Sequence, residues 1–341
     1  MHSTQKKYYS SFSFLALLLI TLVFINISTG SLSIPFKEIW NALFQSSKVD
    51  ESYQYIITNY RLPKSITSIL TGIGLGISGL LMQTYFRNPL AGPFVLGISS
   101  GASLGVALLI MGGSFLGILP YMNGLSIPIA SSLGAFLVLS VVMITARNIR
   151  NTMSILIIGL MFGSFTSAII SILSYFSSAS ELQQYIFWSF GSLSNLQWNE
   201  IYLLCSLIFI SCLSLLTIIK PLDALLLGEN YAKSLGISLK KTQNTVFIIT
   251  SLLTGSITAF VGPIAFIGLA IPHITKLVFK TSNHKTLLPA VAIIGAIVML
   301  ICDTLSHISL GNKNLPINAI TSLFGAPVVI WLLVSKSKKT A

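Results

Sequence analysis

Long apolar stretches recur along the whole 341-residue chain, and they constrain its fold more than any other feature. A helix that crosses the hydrocarbon core of a bilayer needs about 20 predominantly apolar residues. Only 8% of the residues are charged, against roughly 25% in a soluble globular chain. The sequence therefore predicts an all-α, polytopic membrane protein with a single transmembrane domain over residues 1–341. We expect about ten transmembrane helices, at residues 11–29, 61–82, 93–112, 126–146, 152–176, 201–219, 244–261, 264–280, 287–307 and 317–334.

Three segments differ from a simple transmembrane span. The apolar stretch from Ser11 to Ser28 follows two lysines and has the outline of a signal peptide. No small-x-small cleavage site closes it convincingly, so we expect it to remain as a span. Residues 31–60 and 181–200 are too polar to span, and Trp188 and Trp198 are plausible anchors at the membrane interface.

The net charge of +12 is compatible with a nucleic-acid partner or with an anionic membrane face. The positions of the basic residues distinguish the two. With a cytoplasmic N-terminus, 15 of the 20 Lys and Arg residues lie on the cytoplasmic side of the predicted spans. The other five lie outside: Lys37, Lys48, Arg61, Lys64 and Lys313. This distribution follows the positive-inside rule, so we expect both termini in the cytoplasm and no nucleic-acid partner.

The sequence carries no convincing nucleotide-binding motif. Gly74, Gly76 and Gly79 match the pattern GxGxxG, but they lie inside an apolar span rather than where a strand turns into a helix. The small residues Gly72, Gly76, Ser78 and Gly79 instead indicate close packing of two helices. The P-loop pattern GxxxxGK[ST] is absent, so if ATP drives this protein, a partner binds the ATP.

The cysteines and His273 give little support for a metal or catalytic site. Cys205, Cys212 and Cys302 fall inside apolar spans without a CxxC pair or a His/Cys cluster. His273 lies beside Lys276 and is more typical of an interfacial hydrogen bond than of a proton carrier. We therefore expect no bound metal, and we find no side-chain set that predicts an enzyme.

Two segments rich in glycine and proline interrupt the apolar sequence. Residues 87–102 contain Asn88, Pro89 and Leu90, and residues 262–273 have a similar outline that hints at a duplicated architecture. Irregular backbone at membrane depth is tolerated where it lines a cavity or is buried in protein. The residues alone leave a pathway-lining role and an ordinary connection equally open.

Residues 226–237 predict a short amphipathic helix on the cytoplasmic side, within a segment of about residues 220–241. Its polar and apolar residues recur at helical spacing between two glycines, Gly228 and Gly236. Such a helix either lies along the lipid headgroups or docks into a groove on a soluble partner. The residue pattern does not choose between them.

Asp303 is the one acidic residue within a predicted span. A charge at the bilayer centre costs at least about 2.5 to 3.5 kcal/mol, so such residues are functional candidates by default. Asp303 lies near the outer end of its span, where water, Thr304 or His307 is within reach, and this favours a structural role.

These segments together closely resemble the permease family of ABC importers for ferric siderophores, haem and cobalamin. The resemblance covers Tyr60 to Leu333. It depends on several motifs in order: Arg61 to Lys64, Gly79 to Gln83, Asn88 to Ala91, Ser99 to Ala102, Gly228 to Gly236, Gly262 to His273, Asp303 to Leu305, and Pro316 with Gly325 to Pro327.

The resemblance implies a bacterial inner-membrane protein of about ten helices that works with a second permease subunit, identical or homologous. Two cytoplasmic ABC ATPases and an external substrate-binding protein complete the assembly. ATP and Mg²⁺ are then expected on the ATPases, with no cofactor and no ATPase site on this chain. Asn88, Pro89 and Leu90 match the family's cytoplasmic gate. The residues that match its ATPase coupling helix are Gly228, Glu229, Tyr231, Ala232, Leu235 and Gly236.

On the outer face, Arg61 and Lys64 match family positions that accept acidic residues of the docked binding protein. Lysine at the second position lacks the guanidinium fork. His307 stands where the family commonly has arginine, a departure that predicts weaker and pH-sensitive docking. Ile317 and Asn318 also depart from the family pattern, and no function follows from them.

The sequence favours a ferric siderophore as cargo on the breadth of the family alone, with haem or cobalamin as alternatives. An alternative of a different class is an ion-coupled secondary transporter with Asp303 as the coupling carboxylate. The sequence offers no evident second intramembrane acid or histidine as its partner. A membrane enzyme or a purely structural channel requires a catalytic cluster or a polar stripe along a helix, and neither is evident in the sequence.

Overall fold

The computed structural model describes residues 2–30, 32–44, 50–113, 125–146, 149, 152–307 and 315–337. These residues are predominantly helical and form no strand. Each of the ten predicted spans contains a helix. Seven helical stretches are long and apolar enough to cross a membrane, and the other three are apolar but shorter. The all-α, multi-span fold predicted from the sequence is confirmed. Of the outer basic residues named above, Lys48 and Lys313 lie outside the described residues.

We number the α-helices of the described residues in chain order. They are α1 (His2–Ser28), α2 (Phe36–Phe44), α3 (Glu51–Ile56), α4 (Leu62–Tyr85), α5 (Ile98–Ile110), α6 (Ser126–Ala146), α7 (Thr152–Phe176), α8 (Ala179–Ser189), α9 (Trp198–Leu215), α10 (Ile219–Leu226), α11 (Glu229–Ser234), α12 (Leu239–Val261), α13 (Ile267–Phe279), α14 (His284–Ser306) and α15 (Ile317–Ser337). A π-helical turn, Ile57–Arg61, joins α3 to α4, and a 3₁₀ turn, Pro93–Leu96, precedes α5.

The two polar outer segments contain short helices that the hydropathy pattern does not predict. In the first, α2 presents Phe36, Trp40 and Phe44 in a row, with Phe24 of α1 in ring contact. In the second, α8 begins with a capping box between Ser178 and Glu181. These helices are stabilised by caps and one-sided apolar faces, which a search for continuous 20-residue apolar runs does not detect.

The chain folds into two compact units. The first contains Met1–Ile77, Ser192–Cys205 and Ala265–Ala341, and the second contains Ser78–Gly191 and Ser206–Ile264. In the first unit, a Cβ atom added to Gly72 of α4 would lie 2.1 Å from the Gly295 carbonyl oxygen of α14. This contact confirms close helix packing as the role of Gly72, one of the small residues around the rejected nucleotide motif.

In the second unit, α5 and α6 approach each other in the same way. A Cβ atom on Gly101 would lie 2.5 Å from the Gly134 carbonyl oxygen, and one on Gly105 would lie 2.0 Å from that of Ala130. Glycine at these positions therefore permits direct contact between the two helix backbones.

The predicted breaks in the apolar sequence are confirmed, and their geometry is similar. Gly97 precedes α5 in the left-handed conformation, with φ of 72°, and Phe266 precedes α13 with φ of 63°. Both helices have 13 residues. The Phe266 break is held by Asn318, whose Oδ1 accepts a hydrogen bond of 3.1 Å from the Ala265 amide. Asn318, to which the sequence assigned no role, thus fixes an irregular stretch of backbone.

Candidate functional site

The short helix α11 confirms the amphipathic helix predicted within residues 226–237. It lies between Gly228, with φ of 115°, and Gly236, with φ of 77°. Both values belong to backbone conformations that side chains disfavour, so glycine is required at each end. Ala232 is fully buried and belongs to a small apolar cluster with Leu225, against which Tyr85 of α4 packs.

Three large side chains in this region are exposed. Tyr231 is 47% exposed, Leu235 58% and Leu227 67%. Tyr231 lies on α11, Leu227 precedes Gly228, and Leu235 follows Ser234 at the other end of the helix. We call Leu227, Tyr231 and Leu235 the coupling surface, after the role that the family resemblance gives to α11.

An ion pair connects α11 to the segment that follows α4. The Arg87 Nη2 atom lies 3.0 Å from the Glu229 Oε1 atom, and both side chains are partly exposed. Glu229 is the first residue of α11, where the helix dipole also favours a negative charge. Arg87 has φ of 47°, so its backbone marks the end of α4. The sequence motifs identified Glu229 but gave no indication that Arg87 is its partner.

The residues matched to the cytoplasmic gate form a tight turn directly after Arg87. The Asn88 Oδ1 atom accepts a hydrogen bond of 2.9 Å from the Leu90 amide, and its carbonyl accepts one of 3.1 Å from the Ala91 amide. This is an Asx-type turn, in which the side chain of Asn88 fixes the backbone. Leu90 points out of it and is 43% exposed. The turn therefore presents one apolar side chain from a constrained backbone.

A second group of predicted residues meets in the first unit, around Asp303. Asp303 is 2% exposed, and its Oδ2 atom lies 2.9 Å from the Lys64 Nζ atom. The Asn26 amide donates a hydrogen bond of 2.7 Å to the same oxygen. Asp303 thus belongs to a buried ion pair. Contact with water, which its position near the end of the span had suggested as one possibility, is not observed.

Further contacts extend this buried polar cluster across three helices. Asn26 of α1 donates to the Thr304 hydroxyl of α14 at 3.1 Å and accepts a hydrogen bond from Ser65 of α4. His307 contacts Lys64, and its Nε2 atom lies 3.8 Å from the Asp303 Oδ1 atom. Asn26 and Ser65 were missed by sequence reasoning, although an amide within the first apolar run was a signal for a buried partner.

The three residues predicted to dock a binding protein have different surroundings. Lys64 and His307 belong to the buried polar cluster, and the Lys64 ammonium is already paired with Asp303. Arg61 is half-buried, and its Nη2 atom donates a hydrogen bond of 2.9 Å to the Leu32 carbonyl. The docking role of the three residues stays a prediction.

The remaining candidates from the sequence are the three cysteines and His273. Cys205, Cys212 and Cys302 are free thiols, and His273 lies half-buried on α13. Within the described ranges, no group of three or more His, Cys, Asp or Glu side chains is placed to hold a metal ion.

Comparison with known proteins defines the class to which this fold belongs. Residues 18–335 match the FecCD transport family, and the chain belongs to that family. The resemblance inferred from the sequence motifs is confirmed, and the chain is a permease of the ABC importer type.

Individual relatives fit the same class. The chain is 32% identical to the hemin transport system permease protein HmuU of Yersinia pestis, covering 96% of each chain. It is 35% identical to the vitamin B12 import system permease protein BtuC of Salmonella typhi, covering 84% of this chain and 85% of that protein. A solved structure described as an inward-facing conformation of a putative metal-chelate type ABC transporter has a TM-score of 0.81 and 28% identity, and covers 96% of this chain and 99% of that one.

Proposed function

We propose that this chain is the permease subunit of a binding-protein-dependent importer for a metal chelate, with a ferric siderophore as the favoured cargo. The observation that carries the proposal is the coupling surface. Tyr231 on α11 and Leu227 and Leu235 on either side of that helix are exposed, Ala232 of the same helix is buried, and an acidic residue of the helix is paired with Arg87 beside the gate segment. A groove on a soluble ATPase is the partner that matches an exposed, rigid amphipathic helix.

The proposed mechanism is alternating access driven by a partner ATPase. ATP with Mg²⁺ closes two ATPase subunits, and the motion reaches this chain through α11. The Arg87–Glu229 ion pair ties α11 to the turn at Asn88, Pro89 and Leu90. A displacement of α11 therefore pulls directly on the proposed cytoplasmic gate. Hydrolysis resets the assembly, and no bond of the cargo is made or broken.

The ion-coupled alternative has less support. A coupling carboxylate must exchange its proton or ion with water on each side of the membrane. Asp303 is 2% exposed, and its charge is neutralised by Lys64. This arrangement favours a structural ion pair and leaves Asp303 without a path for exchange in the conformation observed.

Purification of the tagged chain from its own membrane in mild detergent tests the proposed function. We expect an ABC ATPase at one copy per permease, identified by mass spectrometry and by the mass of the intact complex. That mass also distinguishes an identical from a homologous second permease. Recovery of this chain alone across several gentle detergents, together with ion-dependent uptake, would instead support a secondary transporter.

A charge exchange tests the link between the gate and α11. We expect Glu229→Arg to lower ATP-driven uptake strongly, because it places two positive charges together, and Arg87→Glu/Glu229→Arg to restore part of it. Both side chains are substantially exposed, so the fold should lose little, about 1 kcal/mol or less. Uptake into proteoliposomes and the melting temperature measure the two effects separately. Equal loss of uptake in the single and the double variant would contradict a role for the pair itself.

A further inference from the structure

A polar cavity in the second unit is not explained by the coupling surface or by the gate. It has a volume of about 340 Å³ and lies where α5, α7 and α8 meet. Its wall consists of hydroxyl-bearing residues with one isoleucine, and the hydroxyl groups belong to Ser99, Ser100, Ser103, Ser167, Ser171 and Tyr185. Serine is common where transmembrane helices pack together, but here five serines border one open volume. The wall is suited to an aqueous cavity or pathway.

The hydroxyl groups lie at helical spacing on two helices. Ser99 and Ser103 are four residues apart on α5, and Ser167 and Ser171 are four residues apart on α7, so each pair lies on one helix face. Ser103 is hydrogen-bonded to Tyr185 of α8, and the Ser171 hydroxyl donates to the Ser167 carbonyl at 2.9 Å. These contacts hold part of the wall in place without a ligand.

Ser99 is the buried residue of the wall whose hydroxyl lacks a partner within the described residues. The residue is 8% exposed, and its hydroxyl has no hydrogen-bond partner in the part of the chain that the structure describes. A buried hydroxyl without a partner destabilises the folded state, and a ligand that accepts or donates a hydrogen bond there removes this cost. Ser99 also lies in the first turn of α5, whose N-terminus carries no side-chain cap. The amide groups of such a turn are further donors for an oxygen acceptor.

The chemistry of the wall selects a class of ligand. None of the lining residues, all within the described ranges, carries a formal charge at neutral pH. Serine hydroxyls and helix amides bind carbonyl, amide and hydroxyl groups on a neutral molecule. Haem is a poor match, because its flat apolar ring and two carboxylates call for apolar and cationic partners.

We propose that this serine-lined cavity is a subsite for a neutral metal chelate whose outer surface carries amide and carbonyl oxygen atoms. The proposal rests on the proposed importer function and adds the chemical class of its cargo. Neutral ferric trihydroxamates and cobalamins share this surface chemistry. The cavity is small enough that it receives one part of such a molecule rather than the whole.

The test uses the permease assembled with its ATPase in proteoliposomes, with the substrate-binding protein added for the uptake measurements. Three probes are compared for binding and for ATP-driven uptake: a ferric trihydroxamate, cyanocobalamin and haem. The variants are Ser99→Ala and the triple variant Ser99→Ala/Ser103→Ala/Ser171→Ala. Ser131→Ala is the matched control, because the Ser131 hydroxyl is also buried and unpartnered within the described residues but does not line the cavity. Co-purification with the ATPase reports assembly for each variant.

We expect the wild-type complex to bind the ferric trihydroxamate or cyanocobalamin. The probe that binds shows which of these two kinds of chelate the permease carries. Ser99→Ala should weaken that binding about two- to tenfold, the triple variant should weaken it further, and Ser131→Ala should leave it unchanged. Preference for haem, or binding unchanged in Ser99→Ala, would overturn the subsite while leaving an ATPase-driven permease intact. A wild-type chain that assembles with no ATPase would overturn the proposed function and the subsite with it.

Discussion

Replacing Leu235 with aspartate is expected to abolish ATP-driven uptake while the permease remains folded and inserted. Leu235 is 58% exposed and is the C-cap residue of α11. Its substitution therefore removes little internal packing. If the coupling surface enters a groove on the ATPase, the aspartate brings an unpaired charge into an apolar contact. A cost of about 2 kcal/mol or more corresponds to roughly 30-fold weaker binding of the ATPase.

Leu235→Met is the control for this prediction, because methionine keeps an apolar side chain of similar volume at the same position. We expect it to bind the ATPase and to transport as the wild type does. Binding is measured by co-purification at a series of ATPase concentrations, and folding by the melting temperature in detergent. Normal uptake by Leu235→Asp would show that α11 lies along the headgroups and does not couple the two subunits.

The Asp303→Asn variant is expected to lose a large part of the stability of the first unit. Asparagine retains the shape of the side chain but leaves the Lys64 ammonium buried without a counter-charge. Removing one partner of a buried ion pair costs about 3 to 5 kcal/mol. Thermal unfolding of the purified permease, followed as loss of the monodisperse protein, should show a clearly lower melting temperature.

A double replacement separates the ion pair from other effects of the substitution. Lys64→Met/Asp303→Leu replaces both charges with apolar groups of similar size, an exchange that is often neutral or stabilising in proteins. We expect the double variant to regain most of the stability that Asp303→Asn loses. If Asp303→Asn melts at the wild-type temperature, then the pair does not hold α4 and α14 together as the structure indicates.

Local patterns in the sequence were sufficient to predict the spans, the two breaks and α11. Hydropathy and the positions of glycine and proline are properties of neighbouring residues, so Gly228 and Gly236 bounded α11 without knowledge of its contacts. The buried polar cluster depends instead on residues far apart in the chain. Asn26 and Asp303 are separated by 277 positions, and no local rule pairs them.

The surroundings of Lys64 also could not be predicted from a local motif. Its motif suggested an outward-facing cation, because a basic residue near the end of a span normally reaches water. Burial beside Asp303 depends on how α1, α4 and α14 pack, which the motif does not contain. The partner of Glu229 was missed for a similar reason, since Arg87 and Glu229 are separated by 142 positions.

The glycine contacts between α5 and α6 also restrict how this permease can move. Where two helix backbones touch directly, there are no side chains between them whose rotamers can change, so sliding requires the helices to separate. We therefore expect α5 and α6 to move together as one rigid body during a transport cycle. The hinge of this rigid body is then the irregular backbone at Pro93–Leu96 and Gly97, which connects α5 to the turn at Asn88. The serines of α5 that line the proposed subsite would move with this rigid body. The hydroxyl groups around the cargo would then be rearranged whenever the proposed gate moves.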